Sequence, residues 1–304
     1  MRGRTVDTIL SLAKEDKNVI LITGDLGFGV LKPYWEAVPA QFLNAGIAEQ
    51  NLTGIAAGMA LEGKTVFTYS IGNFPTLRCY EQIRNDCAYH NTNVKVVCVG
   101  GGFVYGSLGM SHHATEDISA IRALPNVTVF APADADEAEA CVRAMYENDG
   151  TFYLRLGRGG EPMVRKELKD FAIGKAIKAR DGEKVVIFST GAIFDEVQGA
   201  IELLKGEVDA AAYTFPTVKP IDAKCIEECA KEYDLIVTVE ENTVVGGFGS
   251  AVSEVLCRTA SHAKQLTIGI EDTYSSIVGS QKYLRDHYGI SAAKIAQRIR
   301  DALT

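Results

Sequence analysis

The chain has 304 residues, of which 47% are hydrophobic and 23% are charged, and its formal net charge at pH 7 is −8. This length predicts two domains, and the composition excludes disordered, collagen-like and coiled-coil proteins. The acidic balance argues against nucleic-acid binding, which needs a basic surface. Because no apolar run reaches about 18 residues and the amino terminus lacks a signal-peptide pattern, we expect a soluble, cytoplasmic protein with no membrane partner.

Short β-branched segments alternate with helical patterns through the first half of the chain. The predicted strands are 19–23, 66–69, 94–99, 127–130 and 152–156, and the predicted helices are 51–61, 80–90 and 133–147. Apolar strands separated by helices of this length indicate a parallel α/β sheet with both faces covered.

A glycine-rich and charged segment around residues 157–170 interrupts the alternation, which then restarts. The predicted strands there are 185–189, 209–213, 235–240 and 266–269, and the predicted helices are 194–204, 222–231, 250–258 and 291–303. We therefore expect two doubly wound, mainly parallel α/β domains. The first spans residues 1–165 and the second 183–304, with a linker over 166–182.

Ligands of open α/β sheets bind at the carboxyl ends of the strands, where the first domain has several polar loops. The loop 23–29 contains three glycines, but their spacing matches neither the dinucleotide fingerprint nor the P-loop, so a tight turn is the simpler interpretation. The next loop places Glu49 at the start of a helix rich in Gly and Ala. Glu49 is either a functional carboxylate or an acid that complements the helix dipole.

Two further loops carry histidines and arginines. His112, His113 and Glu116 could bind a metal, but consecutive side chains seldom point at one ion, and a histidine is better suited to donate or accept a proton. Arg155 and Arg158, at the end of the first domain, are either solvated surface charges or an anion clamp.

Taken in order, these segments resemble the C-terminal half of the transketolase family of thiamine diphosphate enzymes, over essentially the whole chain. Segments 46–50 and 54–60 resemble its pyrimidine-binding domain, particularly that of deoxyxylulose-phosphate synthases. Segments 74–84, 111–112 and 156–158 follow in the order of the family, and 218–222, 238–242 and 246–249 resemble its C-terminal domain.

The resemblance implies that part of thiamine diphosphate binds here. In such enzymes a glutamate bonds a ring nitrogen of the aminopyrimidine and favours the tautomer that activates the thiazolium carbon; Glu49 matches this position. Phe74 best matches the aromatic residue that stacks on the pyrimidine. Tyr69 and Tyr80 are its neighbours. Leu26 resembles the apolar residue that supports the bent cofactor, and Asp25 precedes it.

The resemblance also implies a reaction, the transfer of a two-carbon ketol unit from a ketose to an aldose. His112 matches a histidine that bonds oxygens of the substrate or intermediate. Arg158, with Arg155 as a second candidate, matches the arginine that binds a sugar phosphate. The family's acid-Gly-Pro-Thr-His run reads Leu-Gly-Met-Ser-His over 108–112, so an acid that would contact a sugar hydroxyl is absent and the sugars stay unspecified.

One family motif is missing. The other half of these enzymes carries a Gly-Asp-Gly motif with a downstream Asn that holds Mg²⁺ and the diphosphate, and this chain contains no Gly-Asp-Gly. We therefore expect no metal ligands here, because Mg²⁺ needs oxygen ligands that the chain does not supply. The resemblance implies an N-terminal transketolase subunit as partner, in a two-plus-two heterotetramer with active sites at the interfaces.

Several alternatives remain open. The assembled enzyme could resemble a deoxyxylulose-phosphate synthase or a 2-oxoacid dehydrogenase. The chain could instead be a non-catalytic scaffold with the same fold. A nucleotide-binding electron-transfer subunit is a further class, but no adequate dinucleotide fingerprint supports it.

Overall fold

The computed structural model of the chain describes residues 1–259 and 263–304. The strands are β1 (Val19–Thr23), β2 (Phe42–Asn44), β3 (Thr65–Ile71), β4 (Val94–Val99), β5 (Val127–Phe130), β6 (Thr151–Leu156), β7 (Ile177–Arg180), β8 (Val185–Ser189), β9 (Ala210–Thr214), β10 (Thr217–Lys219), β11 (Leu235–Thr243) and β12 (Lys264–Ile270). They form two sheets with the strand orders β10-β5-β6-β4-β3-β1-β2 and β12-β11-β8-β9-β7.

Both sheets are parallel except at one edge. The short strand β10 pairs antiparallel with β5, and β7 pairs antiparallel with β9. The inner strands β1, β4, β6 and β8 are buried along their whole length, as parallel strands are when helices cover both faces. The expected fold class, two mainly parallel α/β sheets, is confirmed.

The helices of the first half are α1 (Arg2–Glu15), α2 (Phe28–Ala37), α3 (Glu49–Leu61), α4 (Tyr80–Gln82), α5 (Asp117–Arg122) and α6 (Ala135–Glu147). Those of the second half are α7 (Phe194–Leu203), α8 (Ala223–Glu232), α9 (Phe248–Leu256), α10 (Gln281–His287) and α11 (Ala292–Leu303). The helix predicted over 80–90 is instead one α turn followed by a π-helix, Ile83–Ala88.

The two halves are more closely connected than a simple linker implies. Strand β7 lies inside the segment 166–182, which was expected to be a linker. Strand β10, from the second half, extends the first sheet. One hydrophobic cluster also contains side chains of both halves, such as Val129, Phe188 and Phe248. The second domain is therefore fixed against the first.

All seven cysteines lie in the described residues and are unpaired, and five of them are buried. No helix in the part of the chain that the structure describes has the length and apolarity needed to cross a membrane.

Candidate active site

The candidate residues converge on one edge of the first sheet. Strands β1 to β6 run parallel, so their carboxyl ends lie on the same side. The loops that leave β1, β3, β4 and β6 and the start of α3 all lie on this side, and they carry the residues singled out from the sequence.

Glu49 is the first residue of α3, and only 3% of its surface is exposed. Its Oε2 atom lies 2.8 Å from Nη1 of Arg78, whose side chain is 47% exposed. A Cβ atom added at Gly24 would lie 3.6 Å from Cγ of Glu49, so the loop after β1 passes close to this side chain. Arg78 lies in the segment 74–84 that resembles the family, but its sequence position alone indicated no role.

Arg78 connects Glu49 to two other predicted site residues. Its Cζ atom lies 4.7 Å from the ring centroid of Phe74, a cation–π distance. The rings of Phe74 and His112 meet edge to face, with centroids 5.1 Å apart. Glu49, Arg78, Phe74 and His112 thus form one continuous group, which we call the edge cluster.

The loop that carries Phe74 is held by hydrogen bonds beneath the edge cluster. The hydroxyl of Thr76 donates to the Gly72 carbonyl at 2.9 Å, and the thiol of Cys79 donates to the Phe74 carbonyl at 3.3 Å. Burial raises the pKa of the Cys79 thiol to about 11, which keeps it a neutral donor. Gly72 has φ 43°, and a Cβ atom there would lie 3.3 Å from the His112 carbonyl oxygen. Glycine therefore allows the two loops to approach.

The two adjacent histidines have different surroundings. His112 is partly exposed in a short 3-10 turn, and its Nδ1 lies 3.0 Å from the Ser111 hydroxyl. His113 is buried, and its Nε2 lies 3.3 Å from the Gly106 carbonyl oxygen. Glu116 accepts a hydrogen bond from the hydroxyl of the preceding threonine. Within residues 1–259 and 263–304, no group of three or more His, Cys, Asp and Glu side chains is arranged to hold a metal ion.

Asp25 and Leu26 lie at the same edge of the sheet, directly after Gly24 in the loop that leaves β1. Asp25 and Asn44 exchange two hydrogen bonds of 3.0 Å, through the Asp25 backbone N–H and through the Asn44 amide. Leu26 is partly buried and lines a cavity of about 390 Å³ together with Phe28 and Trp35. These two residues follow Gly24, which approaches the Glu49 side chain.

Tyr69 and Tyr80, the neighbours considered for stacking, have other contacts. Tyr69, on β3, is buried in the core, and burial raises the pKa of its hydroxyl. The hydroxyl of Tyr80 donates to the Ala120 carbonyl of α5 at 3.1 Å. Phe74 is the aromatic residue that contacts Arg78 and His112.

The two candidate anion-binding arginines differ in exposure. Arg155 is buried; its Nε donates to the Asp117 carboxylate at 2.9 Å, and its Nη2 donates to the backbone carbonyls of Ala114 and Glu241. Arg158 is exposed, with Cζ 6.0 Å from the ring centroid of Tyr105. Because the guanidinium of Arg155 belongs to an interior ion pair, we retain Arg158 alone as the candidate for binding a phosphate.

The glycine loop of the second domain, residues 246–249, contacts the first domain. Arg122 of α5 donates to the Gly246 carbonyl at 3.1 Å. The backbone N–H groups of Phe248 and Gly249 donate to the buried Glu240 carboxylate at 2.7 and 2.8 Å. Burial raises the pKa of Glu240 to about 7. This loop therefore begins α9 and also joins the domains.

Comparison with known proteins identifies both domains. Residues 2–161 match the model of the transketolase pyrimidine binding domain, and residues 174–295 match that of the transketolase C-terminal domain. The chain belongs to the transketolase family. The edge cluster lies in the pyrimidine-binding domain of this transketolase-family protein.

Relatives of similar length support the assignment. A protein of Methanocaldococcus jannaschii that carries the name of a transketolase C-terminal section is 36% identical over 100% of this chain and 96% of its own length. A subunit of the apulose-4-phosphate transketolase of Phocaeicola vulgatus is 34% identical over 97% of this chain and 95% of its own length. A solved split gene transketolase, described as an inactive beta4 tetramer, superimposes on this chain with a TM-score of 0.91. The two are 33% identical, and the match covers 99% of this chain and 97% of the other.

Proposed function

We propose that this chain is the pyrimidine-binding subunit of a split transketolase. Together with an N-terminal subunit, it transfers a two-carbon ketol unit between sugar phosphates with thiamine diphosphate as cofactor. The observation that carries the proposal is the edge cluster, which joins Glu49, Phe74 and His112 through Arg78 at the carboxyl edge of the pyrimidine-binding domain.

The edge cluster fits the aminopyrimidine part of thiamine diphosphate. Glu49 offers a nearly buried carboxylate that can share a proton with a ring nitrogen, and Phe74 offers an aromatic face for stacking. The half-exposed Arg78 has room to turn away from Glu49. When bound, thiamine diphosphate supplies the thiazolium carbon that adds to the ketose carbonyl.

Each remaining residue has a role that follows from its position. His112 is partly exposed next to Phe74, so its imidazole can hold or give a proton at a substrate oxygen. Arg158 is exposed beside the loop after β4 and can form charge-assisted hydrogen bonds to a phosphate. Leu26, preceded by Asp25, follows the Gly24 that approaches Glu49, and it offers an apolar surface to support the cofactor.

The diphosphate and Mg²⁺ are assigned to the partner subunit, because this chain lacks the Gly-Asp-Gly motif. The outer face of α3 supports such a partner. Apart from the adjacent residues and the backbone of α3 itself, no atom of the described residues lies within 4 Å of a Cβ atom added at Gly54 or Gly58. Ile47, just before this helix, is 78% exposed, and Leu61 at its end is 65% exposed. A face of glycines between exposed apolar residues suits close packing of another helix.

The proposed assembly is a cytoplasmic heterotetramer of two chains of each kind. A split gene transketolase resembles this chain over nearly the whole length of both, which supports an enzyme divided between two subunits. That relative is described as inactive in its beta4 tetramer, which supports the idea that this chain also needs a different subunit for activity.

Calorimetric titration with thiamine diphosphate and Mg²⁺ tests the division of the site. The chain alone should bind the cofactor negligibly, and the chain mixed with a subunit that carries the Gly-Asp-Gly motif should bind it tightly. Tight, magnesium-dependent binding by this chain alone would refute the proposal.

A panel of donors given to the assembled pair tests the reaction. Cleavage of ketose phosphates with transfer to an aldose is the expected result. Decarboxylation of pyruvate without ketose cleavage would instead indicate a deoxyxylulose-phosphate synthase or 2-oxoacid dehydrogenase type. No turnover of any donor by the loaded assembly would indicate the scaffold alternative.

A further inference from the structure

The loop between β4 and α5 carries His112, and the second domain holds this loop by a buried carboxylate. We propose that Glu241, on β11, is a positioning residue that fixes His112 in the active site. The inference rests on the proposed function for the role of His112, and it gives the C-terminal domain a part in the site that its sequence motifs did not indicate.

The loop is anchored directly to the Glu241 side chain. The backbone N–H of Phe103 donates to Oε1 of Glu241 at 2.9 Å. The preceding residue, Gly102, has φ +67°, and a Cβ atom there would lie 2.4 Å from Cγ of Glu241. Any other residue at 102 would displace the loop or the carboxylate, so glycine is required for this contact.

Glu241 is itself held rigidly within the second domain. Arg285 donates to its Oε2 through Nη2 at 2.8 Å and through Nε at 3.2 Å, and Gln281 donates to both carboxylate oxygens. Arg285 also pairs with Asp195 at 2.8 Å. Charge-assisted hydrogen bonds of this kind are strong, and in a buried site they restrict the carboxylate to one orientation.

The anchor reaches His112 through the backbone of the loop. Gly102 and Ala114 exchange two backbone hydrogen bonds of 2.7 and 3.1 Å, which close the loop two residues after His112. Arg155 links the Ala114 end of the loop to Glu241, because its Nη2 donates to the backbone carbonyls of Ala114 and Glu241 at 2.9 and 2.8 Å. Both ends of the loop are therefore tied to Glu241.

Aromatic packing also fixes the loop against the second domain. The ring of Phe103 stacks on Tyr288 of the second domain, with centroids 5.1 Å apart and planes at 23°. Its other neighbour is His113, whose ring meets it edge to face at 5.2 Å. Gly279 donates its backbone N–H to the Gly106 carbonyl at 3.3 Å. Second-domain residues thus contact the loop along the part that leads to the histidines.

Glu241→Gln and Glu240→Gln make a matched pair of variants. The two carboxylates are neighbours on β11, both are buried and both accept backbone N–H groups, but Glu240 caps α9 while Glu241 holds the loop. Each substitution replaces one acceptor oxygen by a donor. Gly102→Ala disturbs the same anchor from the loop side and serves as the second test if Glu241→Gln fails to fold.

The readout is the imidazole resonance of His112 in the folded chain, assigned by its loss in His112→Gln. Glu241→Gln and Gly102→Ala should shift or broaden this resonance, and Glu240→Gln should leave it unchanged. In the assembled enzyme the first two should also lower kcat/KM by about 10²-fold, the effect of a misplaced reacting group.

The proposal would be overturned if the His112 resonance is unchanged in folded Glu241→Gln. If Glu241→Gln does not fold, an unchanged resonance in Gly102→Ala would overturn it. An equal change in Glu240→Gln would overturn it as well, because the effect would then be general destabilisation. The resonance is measured without turnover, so this result stands apart from failure of the proposed function, which would appear as absence of ketol transfer.

Discussion

The carboxylate of Glu49 and the guanidinium of Arg78 form an ion pair of 2.8 Å in which one partner is nearly buried and the other is half-exposed. Water competes for the half-exposed guanidinium, so this pair is held less tightly than one in which both partners are buried. In the proposed enzyme this pair is the resting state of the site. Its opening would free Glu49 for the aminopyrimidine while Arg78 stays within reach of a ligand anion.

Replacement of Glu49 by glutamine should nearly abolish turnover in the assembled enzyme. The amide keeps the size of the side chain but cannot share a proton with a ring nitrogen, and loss of such proton transfer costs about 10²–10⁴-fold in rate. The measurement is kcat of ketol transfer, with Glu62→Gln at the far end of α3 as the control. Unchanged activity of Glu49→Gln would support the scaffold alternative.

A double-mutant cycle on Glu49→Gln and Arg78→Ala should give a coupling free energy of about 1 kcal/mol in the free energy of unfolding of the chain alone. The exposure of Arg78 limits the value, because solvent-exposed partners are screened. Urea unfolding of the four proteins measures it. The exposed Lys32 and Glu36 pair, at 3.7 Å, is the control and should couple less. Coupling near zero for Glu49 and Arg78 would contradict the ion pair.

The sequence predicted most of the strands that surround this site and the residues proposed to act in it. The β-branched segments correctly indicated the parallel strands, and the family motifs led to Glu49, Phe74 and His112, whose contacts through Arg78 the structure supplied. The pairing of Glu49 with Arg78 joins residues 29 positions apart and depends on how two loops meet. The interior position of Arg155 could not be predicted from the sequence either, because its partner Asp117 lies on another element. Short-range pattern carries no information on such contacts.

The three-residue strand β10 shows the same limit at the level of the fold. Its sequence is too short for a periodicity, and it pairs antiparallel with β5 across the domain boundary. By contrast, α1 buries Val6, Ile9, Leu12 and Ala13 at helical spacing, so a search for that period would have found this helix.

Arg158→Ala should weaken the binding of phosphorylated substrates specifically. Loss of charge-assisted hydrogen bonds to a phosphate corresponds to about 10-fold to 10²-fold in KM. The KM for an unphosphorylated ketose should not change. The comparison uses both donors with the assembled enzyme, and the exposed Arg143→Ala is the control. A parallel rise in KM for both donors would argue against phosphate binding by Arg158.

Gly58→Trp should block assembly with the partner subunit without unfolding the chain. Open space surrounds the position of an added Cβ atom at Gly58, so the chain alone accommodates the larger residue, but a helix packed on α3 does not. Size-exclusion chromatography of the mixture measures assembly, and circular dichroism of the chain alone measures folding. Gly3→Trp, also in open space but on α1, is the control. Normal assembly of Gly58→Trp would place the interface elsewhere.

Lys95 should make the stability of the chain depend on pH in the alkaline range. Its side chain is fully buried, and Nζ donates to the carbonyls of Asn148 and Gly150 at 2.8 and 2.9 Å. Burial lowers its pKa from 10.5 to about 7. The folded chain thus releases a proton near pH 7 that the unfolded chain keeps until about pH 10.4, so the free energy of unfolding rises with pH between these values.

Lys95→Met should remove this rise, which amounts to about 5 kcal/mol at most over the whole interval, at 1.36 kcal/mol per unit of pKa. Urea unfolding at pH 7 and at pH 9.5 measures the difference for each protein. The exposed Lys17→Met should retain the pH dependence of the unmodified chain, because this side chain is solvated in both states. If Lys95→Met and the unmodified chain gain the same stability between the two pH values, the buried ammonium is not the titrating group and its hydrogen bonds to the two carbonyls keep it charged.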